Sequence, residues 1–254
     1  MSRRPAKSNA ERYIYGVNPV QHIVANRPGQ VVCIYLQEKL GKQRAARLTD
    51  ALNSLSVETV RCSADRLEQL SGSPDHQGVV ASIRPPLPLD EGEAEDFVLG
   101  LDKPLILVLD GVQDPRNFGS CLRTAEAAGV DLVVSSRNRS VDMTPTVSKV
   151  ASGGAETQTI ARVGNLVRFI KFLQQAGVRV VGTDGEATES LFAADLKGPL
   201  AVVLGGEGRG LRRLTRETCD ALVSLPMHGA VESLNLAVAA GICLYECRRQ
   251  RGQE

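Results

Sequence analysis

No two of the six cysteines, Cys33, Cys62, Cys121, Cys219, Cys243 and Cys247, form a CxxC pair, and no histidine stands at zinc-finger spacing from them. That absence argues against the common thiolate metal sites and a thioredoxin-type redox pair, so reduced, mostly buried thiols and no metal site are expected. Cys243 and Cys247, four apart on an expected helix, read as packing residues. No stretch reaches the ~18 consecutive apolar residues of a membrane span. No apolar run follows the basic N-terminal residues as a signal peptide would require. A cytoplasmic location without membrane attachment is therefore expected. An overall excess of charge is also missing, since 30 Lys+Arg meet 29 Asp+Glu.

What is present is unevenly spread. Residues 1–84 carry 12 basic and 7 acidic side chains, residues 85–103 carry 1 and 6, and residues 104–254 carry 17 and 16. The basic surplus of the first segment includes Arg3, Arg4, Lys7 and Arg12 in its opening tail, and it suits a polyanionic partner and a solvated surface equally well. With 254 residues and 43% apolar content, the chain is long enough for two cores. The breaks in composition predict a flexible basic tail over 1–12, a small α/β module over 13–84, an acidic, proline-containing linker over 85–103, and a second domain over 104–254.

Hydrophobic periodicity supports that division. YIYGVNPVQHIVANR reads as a short extended segment followed by a helix, VVCIYL as a buried strand, KQRAARLTDALNSL as a helix, SVETVRC as a strand, ADRLEQL as a short helix and GVVASI as a closing strand. The stretch PPLPLDEGEAEDF, with five acidic residues, is expected to stay extended and solvated. From Leu105 the strands LILVLD, DLVVS, VRVVGT, LAVVLG and ALVSLP alternate with helical stretches such as SCLRTAEAAG and NLVRFIKFLQQAG. This is the pattern of an α/β fold with a mostly parallel sheet covered on both faces. In the last helix, Leu234, Val238, Ile242 and Tyr245 form an apolar stripe expected to pack, and Arg248, Arg249 and Arg251 sit where the helix dipole favours cations.

Three of the strands run into polar turns. In the first, Asp114-Pro115-Arg116-Asn117 reverses the chain and Gly119-Ser120 is expected to open a helix. Asn117 is either a cap or a functional amide, and Arg123 is either an ordinary exposed arginine or a phosphate ligand near the strand ends. In the second, Gly205-Gly206-Glu207-Gly208-Arg209-Gly210, four glycines surround one carboxylate and one guanidinium, and such backbone can lie close to a ligand. Neither the P-loop Lys-Ser/Thr nor the GxGxxG spacing is there, and Glu207 is also explicable as a carboxylate near a helix N-terminus. The third, LPMHGAVESLN, places Ser233 to cap the last helix and leaves Asn235 inside a first turn, where an asparagine needs a partner. His228 reads as a loop residue.

These three segments resemble the ordered motifs of the SpoU family of RNA ribose 2′-O-methyltransferases, within the SPOUT superfamily: DPRNFGSCLRTAEAAG the first, VVLGGEGRGL the second and LPMHGAVESLNLAVAAGICLYE the third. YIYGVNPVQ and HQGVVASI also resemble the RNA-binding module of bacterial members that methylate a guanosine ribose in 23S rRNA. The resemblance implies a deep trefoil knot near the C-terminus, a homodimer, and S-adenosylmethionine bound by main chain around Gly205, Leu225 and Leu234, with Gly206, Pro226 and Met227 beside them. It implies that Arg123 is the central catalytic residue, that Asn117 and Glu207 hold the loops, and that Ser233 and Asn235 shape the pocket. Ala237, where relatives often carry Ser, and Phe118, at a variable position, are departures that remove none of these groups. Arg44, Arg47, His76 and Gln77 are candidate RNA contacts, which solvated charge and an ordinary turn explain equally well.

The expected activity is transfer of a methyl group to a guanosine 2′-hydroxyl of 23S rRNA in the peptidyl-transferase region. The alternatives are the same reaction on tRNA, a non-catalytic RNA-binding or ribosome-assembly protein on the same scaffold, and a nicotinamide-dependent oxidoreductase suggested only by the glycine turns.

Overall fold

A computed structural model describes residues 11–38, 57–84, 87–138, 140–208 and 210–252. The expected helix in KQRAARLTDALNSL, the candidates Arg44 and Arg47, and most of the basic tail lie outside these residues; Arg12, assigned to that tail, already belongs to a strand. The described chain forms two compact units. The first takes the residues up to Leu87 together with Met143–Thr157, and the second takes Pro88–Asp142 and the residues from Gln158 onward.

The first unit contains β1 (Arg12–Tyr15), α1 (Val17–Asn26), β2 (Val31–Gln37), β3 (Glu58–Cys62), α2 (Ala64–Ser71) and β4 (Val79–Ile83). Its four strands lie in the order β1-β4-β2-β3, with only β2 and β3 parallel. Alternation along the strands divides its core. Ile14, Ile34, Val79, Ala81 and Ile83 face Val20, Ile23 and Val24 of α1. Tyr15 and Val80 face Leu67 of α2 on the other side.

The second unit begins with a departure from the expected linker. Residues Glu91–Leu99 form a helix, α3, opened by a reciprocal capping box in which Asp90 Oδ1 accepts from the Glu93 amide at 3.1 Å and Glu93 Oε2 accepts from the Asp90 amide at 2.7 Å. Glu91 and Glu93 lie in the first turn, where the helix dipole favours them, and Ala94 and Val98 enter the core. Acidic composition concealed a short amphipathic helix.

The chain continues through β5 (Leu105–Asp110), α4 (Pro115–Ala127) and β6 (Leu132–Ser136). It then passes into α5 (Pro145–Ala151) and α6 (Gly154–Thr157), which group with the first unit rather than with the expected 104–254 domain. Val147 and Ala151 are buried there, α5 packs on β1, and Lys149 Nζ lies 5.0 Å from the centroid of the Tyr15 ring. These apolar faces find their cover on elements more than a hundred residues upstream, which local pattern does not reveal.

The remaining elements are β7 (Ile160–Val163), α7 (Leu166–Gln175), β8 (Arg179–Thr183), β9 (Glu189–Ser190), β10 (Leu200–Gly205), α8 (Arg213–Thr218), β11 (Ala221–Ser224) and α9 (Leu236–Arg251). Seven parallel strands lie in the order β7-β6-β5-β10-β8-β11-β9. Both faces are covered, so all six residues of β5 are buried and the strand reads as a continuous apolar run. Ile106 and Val108 meet α3 and α7 on one face. Leu105, Leu107 and Leu109 point to the other, where α4 and α9 pack together. The last helix packs by Ala240, Cys243, Leu244 and Cys247, all 0% exposed, whereas Val238 is 50% and Tyr245 55% exposed. The stripe expected to pack is therefore on the outer face of α9.

Candidate active site

The connections leave the two central strands in opposite directions. From β5 the chain moves to β6 on one side, and from β10 it moves to β11 on the other. The carboxyl ends of neighbouring β5 and β10 thus flank a topological switch point, the usual ligand crevice of an open parallel sheet. Asp110 and Gly205 are register partners at that edge.

Three loops meet there through side-chain hydrogen bonds. Asn117 Nδ2 donates to Glu207 Oε1 at 2.7 Å, and Asn235 Nδ2 donates to Asn117 Oδ1 at 2.9 Å. Asn235 Oδ1 in turn accepts from the Ala237 amide at 2.9 Å. Each amide oxygen accepts and each amide nitrogen donates, so the chain of bonds is internally consistent.

Local capping explains how these groups come free for one another. Asp114, with Pro115 in the first helical position, caps α4 by accepting from the Arg116 amide at 2.7 Å. Asn117 is therefore not the cap, and its amide turns to Glu207. The helix also starts before the expected Gly119-Ser120, which puts Arg123 in its third turn, about 12 Å along the axis from Pro115. Arg123 is exposed. Helical side chains lean toward the N-terminus, which directs its guanidinium toward that end of α4. At the other end, Asn235 rather than Ser233 caps α9. Ser233 stands before it in exposed coil.

The second loop is shaped by its own backbone. A Cβ on Gly205 would lie 2.0 Å from the Gly210 carbonyl carbon and 2.3 Å from the Leu211 nitrogen, and one on Gly206 would lie 2.6 Å from the Gly111 oxygen. Glycine is thus demanded at 205 by the loop folding back, seen also in the Gly206–Gly210 bridge, and at 206 by the close approach of the chain leaving β5, before any ligand is considered. Sequence reasoning missed what anchors this loop. Asp110, 2% exposed, accepts from the Arg212 amide at 3.1 Å through Oδ2 and from Arg212 Nε at 2.5 Å through Oδ1. The available signal was a carboxylate closing an otherwise apolar strand.

The third loop, 225–235, is irregular; Leu225 and Met227 are half-buried, while Pro226 and Leu234 are exposed. Among the described residues no hydrogen bond within the protein joins the backbone groups of 225–234. A stretch of open main chain bordered by apolar side chains fits a nucleoside-containing cofactor recognised through backbone groups. Burial disfavours the thiolate form of the cysteines packed behind this crevice. Burial, with the charge of Glu207 acting in the same direction, pushes the Cys121 thiol up to about 12, and burial first of all lifts Cys219, Cys243 and Cys247 to about 12. All six cysteines are free thiols, four of them buried. No cluster of His, Cys, Asp and Glu among the described residues could hold a metal ion.

His76 and Gln77 belong to the first unit and are employed internally. His76 Nδ1 accepts from the Gly78 amide at 3.0 Å, and Gln77 Oε1 accepts from the Val17 amide at 2.9 Å, supplying the cap that Gly16 cannot give α1. His76 is buried, whereas Gln77 remains exposed on the surface of the unit.

Comparison with known proteins agrees with this geometry. The profile of the SpoU rRNA Methylase family matches residues 104–245, and that of the RNA 2'-O ribose methyltransferase substrate binding family matches residues 13–89. The chain is 43% identical over 242 residues to the 23S rRNA (guanosine-2'-O-)-methyltransferase RlmB of Vibrio vulnificus, covering 95% of this chain and 98% of that protein. It is 42% identical over 238 residues to RlmB of Escherichia coli K12, covering 94% and 98%. The SpoU methyltransferase AviRb of Streptomyces viridochromogenes, solved with AdoMet, superposes with a TM-score of 0.78 at 25% identity, over 96% of this chain and 92% of that one. With its parallel sheet, its three loops joined at the switch point and these matches over nearly its whole length, the chain belongs to the SpoU rRNA methylase family.

Proposed function

We propose that the protein transfers a methyl group from S-adenosylmethionine to the ribose 2′-hydroxyl of a guanosine in 23S rRNA, within the peptidyl-transferase region, and that it works in the cytoplasm as a homodimer. The observation that carries this reading is the bonded chain Asn235–Asn117–Glu207, which ties all three family motifs to the switch point. The relatives named for this reaction support the choice of RNA.

The cofactor supplies, when bound, an electrophilic methyl carbon. The open backbone after β11, with Leu225, Pro226, Met227 and Leu234, and the glycine turn at Gly205 and Gly206 hold its adenine and ribose. Asn117 and Glu207 lock the first loop to the second, and Asn235 locks the third, so that the cradle keeps its shape without reorganising during the reaction. A ribose hydroxyl is a poor nucleophile near neutral pH, and its proton must be accepted as it attacks. The Arg123 side chain makes no hydrogen bond or ion pair among the described residues. Its guanidinium is available to grip the phosphate of the target nucleotide and to help that phosphate or a neighbouring group take the proton, while Ser233 lines the pocket. The exposed face of α9, with Val238 and Tyr245 next to the site loop bearing Leu234, is the surface a second copy covers. The trefoil knot implied by the family motifs is part of the same reading.

Purified protein incubated with labelled S-adenosylmethionine and unmodified 23S rRNA is expected to place label on one guanosine ribose. Absence of transfer to any RNA from a protein that binds the cofactor normally would falsify the reading. Transfer to tRNA alone would replace the substrate and keep the reaction.

A further inference from the structure

Beside the switch point, on the α7 face of the sheet, the second unit contains a cavity of about 540 Å³ that the proposed methyl transfer does not use. It opens at the carboxyl ends of β6 and β7, between Ser136, the start of α7 and the start of α8. Its volume falls within the roughly 300–1,000 Å³ of sites for small molecules. Arg212, which lines it, is the same residue whose guanidinium is held by Asp110 at the end of β5. The cavity therefore adjoins the crevice where the three loops meet.

Its walls combine three kinds of group. Leu166 is 3% exposed and Leu214 55% exposed, and both supply apolar surface. Asn138 and Asn165 supply amides. The Asn165 oxygen is already used by the Arg168 amide at 3.1 Å, which leaves its NH₂ as a donor. Thr215 is 1% exposed, and its hydroxyl has no hydrogen-bond partner among the described residues. Arg213 contributes a cation, its side chain 78% exposed and, among the described residues, paired along its own helix with Glu217 at 3.0 Å. The N-terminus of α7 is already faced by a carboxylate, since Glu91 Oε2 accepts from the Gly164 amide at 3.4 Å. An anionic group is thus directed to Arg213 and not to the helix end.

An apolar surface for a flat ring, amides for its edge and an arginine for a neighbouring phosphate are the elements by which proteins take an unpaired base from a single strand. Resting on the function proposed above, we infer that this cavity takes one unpaired nucleotide of the RNA substrate flanking the target guanosine, with its base against Leu214, its edge on Asn138 and Asn165, and its phosphate on Arg213. The site selects RNA in which that neighbour is splayed out of a helix. It thereby gives the enzyme a second reading point besides the reacting ribose.

The test couples protein and RNA changes. Short fragments of unmodified 23S rRNA spanning the methylated position are made with an abasic ribose at each flanking position in turn, and their binding to the wild type and to Leu214→Asp is measured with cofactor present. At one position loss of the base is expected to weaken binding to the wild type about 10-fold and binding to Leu214→Asp less than 2-fold, a coupling that a merely structural effect does not produce. Arg213→Ala is expected to lower RNA affinity and reduce the salt slope by about one ion. Cofactor affinity is expected to be unchanged in both variants. Additive effects at every position, with transfer by the wild type intact, overturn the cavity assignment alone. A wild type that binds none of the fragments overturns both it and the proposed RNA substrate.

Discussion

Asn117 and Glu207, ninety residues apart, share a 2.7 Å hydrogen bond that fastens the N-terminal turn of α4 to the glycine loop after β10. The bond joins two walls of one crevice, and through Asn235 it reaches the third. Replacing Asn117 with Ala removes both contacts without touching the buried face of α4. Methyl transfer is expected to fall about 100-fold, the scale of a small misplacement of reacting groups. The circular dichroism spectrum should match the wild type. A variant retaining full kcat/KM would show that the loops hold without the bond.

Arg123 is exposed and outside this network, so its removal has little reason to disturb the fold. Arg123→Ala is expected to reduce transfer by roughly 10²–10³ while cofactor binding, measured by calorimetry, stays within 2-fold. Arg123→Lys should recover only a small part, because an ammonium cannot reproduce the fork of a guanidinium. Full rescue by lysine would reduce the role of Arg123 to charge alone.

Gly205 tests whether the second loop is built by its own backbone. The Cβ of Gly205→Ala would stand 2.0 Å from the Gly210 carbonyl carbon, and no flexible side chain can yield there. A loss of about 3 kcal/mol in denaturant unfolding is expected, together with loss of cofactor binding. Alanine tolerated with neither change would mean that the loop opens away from Gly210 in solution.

The outer face of α9 carries the proposed dimer contact. Tyr245→Asp and Val238→Asp, alone and combined, are expected to shift the protein to a monomer in sedimentation while leaving thermal stability of the single chain nearly unchanged, since both residues are exposed. A wild type that sediments as a monomer removes the dimer from the proposal.

Glu156 in α6 is 3% exposed and its Oε2 lacks a hydrogen-bond partner among the described residues. Burial raises its carboxyl from the ordinary 4.5 to about 7, partly opposed by a hydrogen bond from Ser148. The folded pKa lies above the unfolded one, so the fold favours the neutral acid. The stability it contributes is complete below pH 4.5 and is lost as pH rises through about 7. Glu156→Gln is therefore expected to raise stability at pH 8 by about 1–3 kcal/mol. That gain should vanish near pH 4.5 in thermal unfolding. Parallel pH curves for the two proteins would place the sensitivity elsewhere.

The cavity beside Arg212 extends the same logic to specificity. If a flanking nucleotide enters it, the RNA must present that base unpaired, and recognition then depends on local structure as well as on the target guanosine.

Sequence alone determined the class of fold, the alternation of elements and the family. Parallel strands buried on both faces write themselves as apolar runs, and the three motifs lie in short contiguous segments. It did not determine which groups meet. Whether Asn117 or Asp114 caps α4, whether Ser233 or Asn235 caps α9, and which stripe of α9 turns inward each depend on neighbours contributed by distant strands. The acidic stretch at 91–99 proved helical because Ala94 and Val98 found a core, and residues 143–157 joined the first unit because their apolar side chains fit β1 and α1. Asp110 and Arg212 are 102 positions apart, and only the placement of β10 beside β5 brings them together. Periodicity records how each segment is buried; the tertiary order of the strands decides what it is buried against.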